Sequence, residues 1–137
     1  MTPAHYLTRE ISVVNAVKHW KRWLSVERNC SKNTLSGYTR DLEGFFDHLS
    51  KHLGYQLCLE DLEKLNASDF RSYLSQRNMD GLSRSSIARA VSTLRSFFRF
   101  LEKEGVVANS TIQTIRSPKL PQAIPKPFSI SEAKDAL

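Results

Sequence analysis

The clearest periodic pattern in the chain lies in residues 82–101, LSRSSIARAVSTLRSFFRFL. Its apolar side chains recur at the spacing of one helix face. Ser83 has the chemistry of a helix N-cap and Gly105 that of a helix stop. The segment therefore predicts a helix that buries one stripe, formed by Ile87, Val91, Leu94, Phe98 and Leu101.

The same reasoning predicts two long helices earlier in the chain. The first covers about residues 9–28, and the second follows Ser31 and runs to about Leu53, where Gly54 is a plausible stop. The core positions expected for the first are Val13, Val17, Trp20 and Leu24. Those expected for the second are Leu35, Tyr38, Leu42, Phe45, Leu49 and Leu53.

A third helix is predicted between these two and the segment at 82–101. Asn66 and Asp69 have the spacing of an N-cap and its reciprocal acid, and Gly81 marks the end. Phe70, Tyr73 and Leu74 are its expected core residues. Short helical pieces are expected at about 60–64 and 111–116. Four main helices without a strand pattern or an internal repeat predict an all-α fold.

The amino-acid composition changes at residue 117. Four of the five prolines of the chain fall within SPKLPQAIPKPF, which is typical of a linker. Ser129 and Glu132 then have the spacing of a capping box. We therefore expect a domain at 1–116, a linker at 117–128 and the first residues of a truncated second domain at 129–137. On this interpretation the chain is a fragment of a longer protein.

The 137 residues carry a net charge of +6, and the sequence pI is about 9.6. Residues 1–40 and 81–120 each have a net charge of +5, whereas residues 41–80 have −4. This distribution predicts one basic and one acidic side, and hence a polyanionic partner. With no apolar run long enough for a membrane span and no signal-peptide pattern, we expect a cytoplasmic chain without a membrane or small-molecule partner.

The polar face of the segment at 82–101 is unusual. It is rich in arginine and serine, and no acid occurs between Asp80 and Glu102. An ordinary solvated face is the alternative interpretation, but such faces usually mix charges. Arginine and serine suit phosphates and base edges, so we expect DNA phosphates to supply the missing counter-charges. The candidate residues are Ser83, Arg84, Ser85, Arg89, Ser92 and, with Arg99, the more distant Arg95.

A second candidate surface is SKNTLSGYTR, residues 31–40, at the start of the second predicted helix. Free N–H groups and the helix dipole favour a phosphate there, and Gly37 keeps the first turns slim. Plain N-capping by Ser31 is the simpler interpretation, and the two are compatible. The candidate DNA-binding residues are Ser31, Lys32, Asn33, Thr34, Ser36 and Arg40.

The sequence lacks complete sets of residues for a metal site or a catalytic site. His48 and His52 have metal-ligand spacing, but no third ligand is evident, so we expect neither a metal nor a cofactor. Cys30 and Cys58 are isolated and are interpreted as reduced structural thiols, although a disulfide between them stays open. The sequence contains no recognisable catalytic constellation.

A series of motifs resembles the N-terminal core-binding domain of tyrosine recombinases, most closely of the Xer type. The first motif consists of Ser31, Asn33, Thr34, Tyr38, Asp41, Leu42, Phe45 and Leu49. The segment at 82–101, followed by EKEG, resembles the last large helix of that domain, and residues 109–132 resemble its exit. The likeness extends over residues 10–137. Ser110 departs from it, because the family usually has proline there.

The resemblance implies a four-helix, orthogonal SAM-like bundle that, with a catalytic domain, clamps duplex DNA at a site with inverted repeats. The family cuts DNA through a 3′-phosphotyrosyl link without metal or ATP, in a tetramer with a partner recombinase, and resolves chromosome dimers. Its catalytic residues belong to the other domain, so this chain is expected to bind DNA and not to be an enzyme by itself. The tyrosines that match no catalytic motif are Tyr6, Tyr38, Tyr55 and Tyr73.

Three other functions stay open at this point. The same domain occurs in phage and mobile-element integrases, which overall likeness alone separates from the Xer type. A helical protein-interaction module would use the basic surface for an acidic protein. A helix-turn-helix regulator would need a recognition helix after a short turn, which we do not find. Within the Xer type, we favour a XerC-like over a XerD-like member.

Overall fold

The computed structural model describes residues 12–116, which contain α-helices and one short 3₁₀ helix but no strand. The helices are α1 (Val13–Val26), α2 (Lys32–Leu53), α3 (Leu59–Glu63), α4 (Ala67–Met79) and α5 (Arg84–Glu104), and the 3₁₀ helix is Thr111–Thr114. The expected all-α fold is thus confirmed. The predicted linker and the capping box at Ser129 lie outside the described residues, as does the start predicted for α1 near Arg9.

The ends of α2 and α5 lie where the local signals predict them. Ser31 and Ser83 are the N-caps, and their hydroxyl oxygens accept hydrogen bonds from backbone N–H groups three residues later, each at 3.1 Å. Gly54 and Gly105 end the two helices with φ of 80° and 77°. Only glycine adopts this left-handed conformation at little cost. The long helices therefore begin and end at residues that are chemically suited to those positions.

The two helices between them also match the sequence prediction. At the start of α4, Asn66 Oδ1 accepts from the N–H of Asp69 at 3.1 Å, and the Asp69 carboxylate accepts from the N–H of Asn66 at 2.8 Å. This reciprocal pair is the expected capping box. The short α3 includes most of the predicted helical turn at 60–64. Between residues 12 and 116, no helix is both long enough and apolar enough to cross a membrane.

The core is built around Phe45 of α2. Its ring centroid lies 5.6 Å from that of Phe70, 5.2 Å from that of Tyr73 and 6.4 Å from that of Phe98. Burying each large side chain contributes about 2 kcal/mol, and edge-to-face ring pairs add to this. All five residues of the apolar stripe predicted for α5 are buried. The centre of the core is therefore an aromatic cluster between α2, α4 and α5.

The sequence prediction was wrong for Leu53, which is 41% exposed instead of buried. It is the last residue of α2, just before the Gly54 cap. A repeating apolar pattern identifies the face of a helix but not the point at which neighbouring elements stop covering that face. Five other predicted core residues are only partly buried, because they lie at the edge of the core: Val13, Val17, Leu35, Tyr38 and Leu74.

Candidate nucleic-acid interface

Helices α2 and α5 run in the same direction, so their N-termini lie at the same end of the domain. Gly37 of α2 packs against Arg89 of α5, and Phe46 lies opposite Phe97, with ring centroids 5.8 Å apart. Contact positions therefore advance together along both helices. Ser31 and Ser83 each precede the Gly37–Arg89 contact by six residues. The fold thus brings together the two segments that the sequence proposed separately.

The first turns of α2 and α5 contain no acid. At the third helical position they carry Thr34 and Ser86, whose hydroxyls accept from the capping hydroxyls at 2.9 and 3.1 Å. Helices α3 and α4 have Asp61 and Asp69 at that position instead. A carboxylate there stabilises a helix but repels an anion. The dipoles of α2 and α5 are therefore left available to an external negative charge.

Most of the predicted DNA-binding residues are exposed at this end of the domain or along the outer faces of its two helices. We call these exposed residues the serine–basic surface. Its members are Ser31, Lys32, Asn33, Thr34, Ser36, Arg40, Ser83, Arg84, Ser85 and Ser92. Side chains of these types can donate hydrogen bonds to phosphate oxygens and base edges. This geometry is compatible with the predicted contacts.

Arg89 differs from the other members of the predicted site. Its Nε donates to Asp41 Oδ2 at 2.8 Å and its Nη2 donates to Asp41 Oδ1 at 2.9 Å. The Asp41 side chain is 3% exposed, whereas that of Arg89 is 40% exposed. The expectation that phosphates supply every counter-charge on α5 was therefore wrong for Arg89, because α2 supplies a carboxylate.

The Asp41–Arg89 ion pair is held by its neighbours. Thr93 donates its hydroxyl to Asp41 Oδ2 at 2.9 Å, and Tyr73 donates its hydroxyl to the backbone oxygen of Asp41 at 2.9 Å. Burial raises the pKa of Tyr73 to about 12, so its hydroxyl remains a donor at neutral pH. The hydrogen bonds to Asp41 raise the pKa of Arg89. Helices α2, α4 and α5 thus share one polar cluster beside the serine–basic surface.

Arg95 and Arg99 bind the segment that follows α5. Arg95 Nη2 donates to the backbone oxygen of Ile115, and Gln113 Nε2 donates to the backbone oxygen of Arg95 at 3.2 Å. Arg99 Nη2 donates to Gln113 Oε1 at 2.9 Å. Arg95 was among the predicted DNA-binding residues. The structure gives it an intramolecular partner, so its contact with DNA stays a prediction.

The histidine pair lies away from the serine–basic surface. The rings of His48 and His52 are stacked with centroids 5.1 Å apart, and His48 Nε2 lies 3.2 Å from Ser72 Oγ. Burial and the neighbouring His52 lower the pKa of His48. Within residues 12–116, no three His, Cys, Asp or Glu side chains are grouped so that they could hold a metal. Cys30 and Cys58 are both free thiols.

Reasoning from sequence missed two residues of this region as site residues, Asp41 and Gly37. Both are buried, and they precede Phe45 by four and eight residues on one face of α2. An acid on an otherwise apolar helix face is a signal for a buried ion pair. That signal was present in the sequence, but it does not identify the partner.

Comparison with protein families gives a match to "Phage integrase, N-terminal SAM-like domain" over residues 17–105. Among curated proteins, the tyrosine recombinase XerC of Bradyrhizobium diazoefficiens is 37% identical over 123 residues, which are 90% of this chain and 38% of the relative. The tyrosine recombinase XerC of Rhodospirillum centenum is 36% identical over 118 residues, or 86% of this chain and 35% of that protein.

A third similar protein, the tyrosine recombinase XerC of Rickettsia prowazekii, is 32% identical over 123 residues, which are 90% of this chain and 40% of the relative. The chain therefore spans about two fifths of the length of the curated relatives it matches. No solved structure matches it.

Proposed function

We propose that this chain, which belongs to the family of phage integrase N-terminal SAM-like domains, binds duplex DNA as the core-binding domain of a Xer-type tyrosine recombinase. The observation that carries the proposal is the pairing of two helix N-termini at one end of the domain. Both begin with a serine cap, neither has an acid in its first turn, and Lys32 and Arg84 are their first residues.

The electrostatics of the serine–basic surface support this function. A helix N-terminus carries about half a positive charge, and phosphate is favoured there by roughly 0.3–1 kcal/mol at an exposed position. Lys32 and Arg40 of α2 and Arg84 of α5 add full charges on the same side. Because the major groove is about 12 Å wide, it admits a helix end with a small exposed side chain such as that of Ser36.

We propose that the parent protein cuts and rejoins DNA through a 3′-phosphotyrosyl link, at a site with inverted repeats and in a tetramer with a partner recombinase. Resolution of chromosome dimers is the corresponding biological role, with a XerC-like member favoured. The relatives named tyrosine recombinase XerC are more than twice as long as their matched region. We assign DNA binding to residues 1–116 and strand cleavage to a catalytic domain that begins near residue 129.

The same assignment places the protein in the cytoplasm, where a bacterial chromosome is accessible. It also gives the linker at 117–128 the task of connecting the two halves of a clamp. A DNA-binding half of this kind needs neither metal nor cofactor, since its contacts are hydrogen bonds and charge pairs with the duplex.

The proposal is tested by fluorescence anisotropy of the 137-residue chain with labelled mixed-sequence and inverted-repeat duplexes over a salt series. We expect log K to fall linearly with log salt, with a slope of roughly −3 if three phosphates are neutralised. Lys32→Ala should weaken binding and make the slope shallower by about 0.9. Lys51→Ala is the matched control.

Lys51 is an exposed lysine of the same helix, about 28 Å farther along its axis. The two lysine variants therefore lose the same charge at opposite ends of α2. Equal effects of both variants would indicate general attraction by net charge and would contradict the proposed surface. An absence of binding to any duplex at low salt would contradict the function itself.

A further inference from the structure

We propose that Arg89 is a specificity-determining residue that recognises guanine in the major groove, and that Asp41 positions it for this task. The inference rests on the proposed DNA-binding function and goes beyond it, since it names the group that Arg89 recognises. Its basis is the geometry of one polar cluster between α2 and α5.

The Arg89 guanidinium has more N–H donors than Asp41 uses. A guanidinium carries five N–H groups in one plane. Asp41 accepts from Nε and from Nη2, at 2.8 and 2.9 Å. The three remaining N–H groups are on Nη1 and Nη2 and point away from the buried carboxylate. Two parallel N–H groups of this kind match the O6 and N7 acceptors of guanine.

The orientation of the Arg89 guanidinium is set by its contacts with α2. The guanidinium lies against the backbone of α2, where a Cβ atom on Gly37 would be 3.3 Å from Cζ, Nε and Nη1 of Arg89. Asp41 holds one edge of the same group, and Thr93 donates to Asp41 in turn. One face and one edge of Arg89 are thus fixed by the protein. Such fixed geometry favours recognition of a particular pair of acceptors over contact with a mobile phosphate.

The charge of the Asp41–Arg89 pair favours an uncharged ligand over a phosphate. Asp41 and Arg89 together are neutral, because the carboxylate cancels the guanidinium charge. A phosphate at the free edge of Arg89 would also be repelled by Asp41 a few ångströms behind it. A guanine edge is uncharged and meets no such repulsion. Within residues 12–116, neither Lys32 nor Arg40 forms an ion pair with a carboxylate, so they are better suited to phosphates.

The experiment begins with selection of duplexes from a pool with a randomised central segment, using the 137-residue chain. Each base pair of the selected duplex is then changed singly, and binding is measured by anisotropy over a salt series. We expect one G·C pair whose replacement weakens binding of the unaltered chain by roughly tenfold or more. That pair is the reference for the variants.

Two variants separate recognition by Arg89 from a structural role. Arg89→Lys keeps the charge but has no planar pair of donors, so preference for the reference pair should disappear. Any loss of affinity should be larger for the duplex with the reference pair than for mixed-sequence DNA. Asp41→Asn removes the negative charge behind Arg89. It should reduce the preference, tighten binding to mixed-sequence DNA and steepen the salt slope by about 0.9, as expected for one added phosphate contact.

Asp47→Asn is the matched control for Asp41→Asn, since Asp47 is an exposed acid of the same helix six residues farther along. It should leave the preference for the reference pair unchanged. Circular dichroism of each variant verifies that it is folded. If Asp41→Asn does not fold, the inference is tested by Arg89→Lys alone. This variant is expected to fold, because the Arg89 side chain is partly exposed.

Three results would overturn the inference. The first is binding of DNA by the unaltered chain without preference for any G·C pair, which leaves the proposed function intact. The second is an unchanged preference in Arg89→Lys. The third is an equal weakening of all duplexes by Arg89→Lys and Asp41→Asn, as expected for a purely structural ion pair. Failure of the unaltered chain to bind any duplex would refute the proposed function along with the inference, so the two failures are distinguishable.

Discussion

The backbone of Gly37 lies directly against the guanidinium of Arg89. A Cβ atom added at Gly37 would be 3.3 Å from three atoms of that group. Gly37 is in the second turn of α2, and Arg89 is in the second turn of α5. The close approach of the Arg89 guanidinium to α2 therefore depends on a position without a side chain, next to the proposed DNA-binding surface.

Gly37→Ala should impair DNA binding more than stability. Alanine is a better helix former than glycine by about 1 kcal/mol, but its methyl group would lie 3.3 Å from the guanidinium and displace it by a few tenths of an ångström. We expect a change in the free energy of unfolding within about 1 kcal/mol and a clear loss of affinity for the duplex that carries the reference G·C pair, measured by urea denaturation and anisotropy.

Gly44→Ala is the matched control on the same helix. Its Cβ atom would meet the Tyr73 hydroxyl oxygen at 3.5 Å, an ordinary contact distance. The variant should be stabilised by up to about 1 kcal/mol and should bind DNA normally. Normal DNA binding by Gly37→Ala would contradict the role given to the Gly37–Arg89 contact.

Arg89→Ala should destabilise the domain by about 2 kcal/mol, because it leaves the Asp41 carboxylate buried without its charged partner. Removing one member of a fully buried pair costs about 3–5 kcal/mol, and the partial exposure of Arg89 reduces that cost. The double variant Asp41→Ala/Arg89→Ala should lose less than the sum of the two single variants. Chemical denaturation gives the free energy of unfolding of the two single variants and of the double variant. If the two single losses add up to that of the double variant, Asp41 and Arg89 are not energetically coupled.

An acid at the start of α5 should separate stability from DNA binding. Ser85→Asp places a carboxylate in the first turn, which favours the helix by about 0.5 kcal/mol. It should also weaken duplex binding roughly fivefold or more, since a like charge 4 Å from a phosphate costs about 1 kcal/mol even in water. Thermal melting and anisotropy at low salt provide the two readings.

Ser68→Asp is the counterpart of Ser85→Asp. Ser68 is also an exposed serine at the second helical position, but it belongs to α4, whose first turn already contains Asp69. Its DNA affinity should stay close to that of the unaltered chain. If both aspartates reduce affinity equally, the N-terminus of α5 has no special part in binding.

Stability should fall at alkaline pH through Tyr73. Burial raises its pKa from 10.0 to about 12. The unfolded chain thus loses this proton from about pH 10, while the folded chain keeps it up to about pH 12. Because the unfolded state binds fewer protons in this window, the free energy of unfolding should decrease with rising pH, by about 1 kcal/mol between pH 9 and 11.

Tyr73→Phe isolates this effect. The variant lacks the titrating hydroxyl but retains every other group that ionises at high pH. Its unfolding free energy, measured by urea denaturation at pH 9, 10 and 11, should decline less steeply than that of the unaltered chain. Identical slopes for the two proteins would show that Tyr73 does not contribute to the alkaline loss.

The starts and ends of α2 and α5 could be predicted from the sequence. Ser31, Gly54, Ser83 and Gly105 act within their own turns, so their chemistry predicts where α2 and α5 begin and end. The apolar stripe of α5 is likewise a local pattern, and all of its members are buried. The segments rich in serine and basic residues were identifiable for the same reason, since composition and charge are properties of the chain.

The packing of the helices controls which charged side chains of those segments pair within the domain. Asp41 and Arg89 are 48 residues apart, yet packing of α2 on α5 makes them an ion pair. Arg95 binds the backbone of Ile115, whereas Arg40 of α2 is exposed. The partner of a long side chain depends on which elements pack beside it. For that reason the sequence predicted a uniform basic face, and the fold divided it into charges that face solvent and charges that hold the domain together.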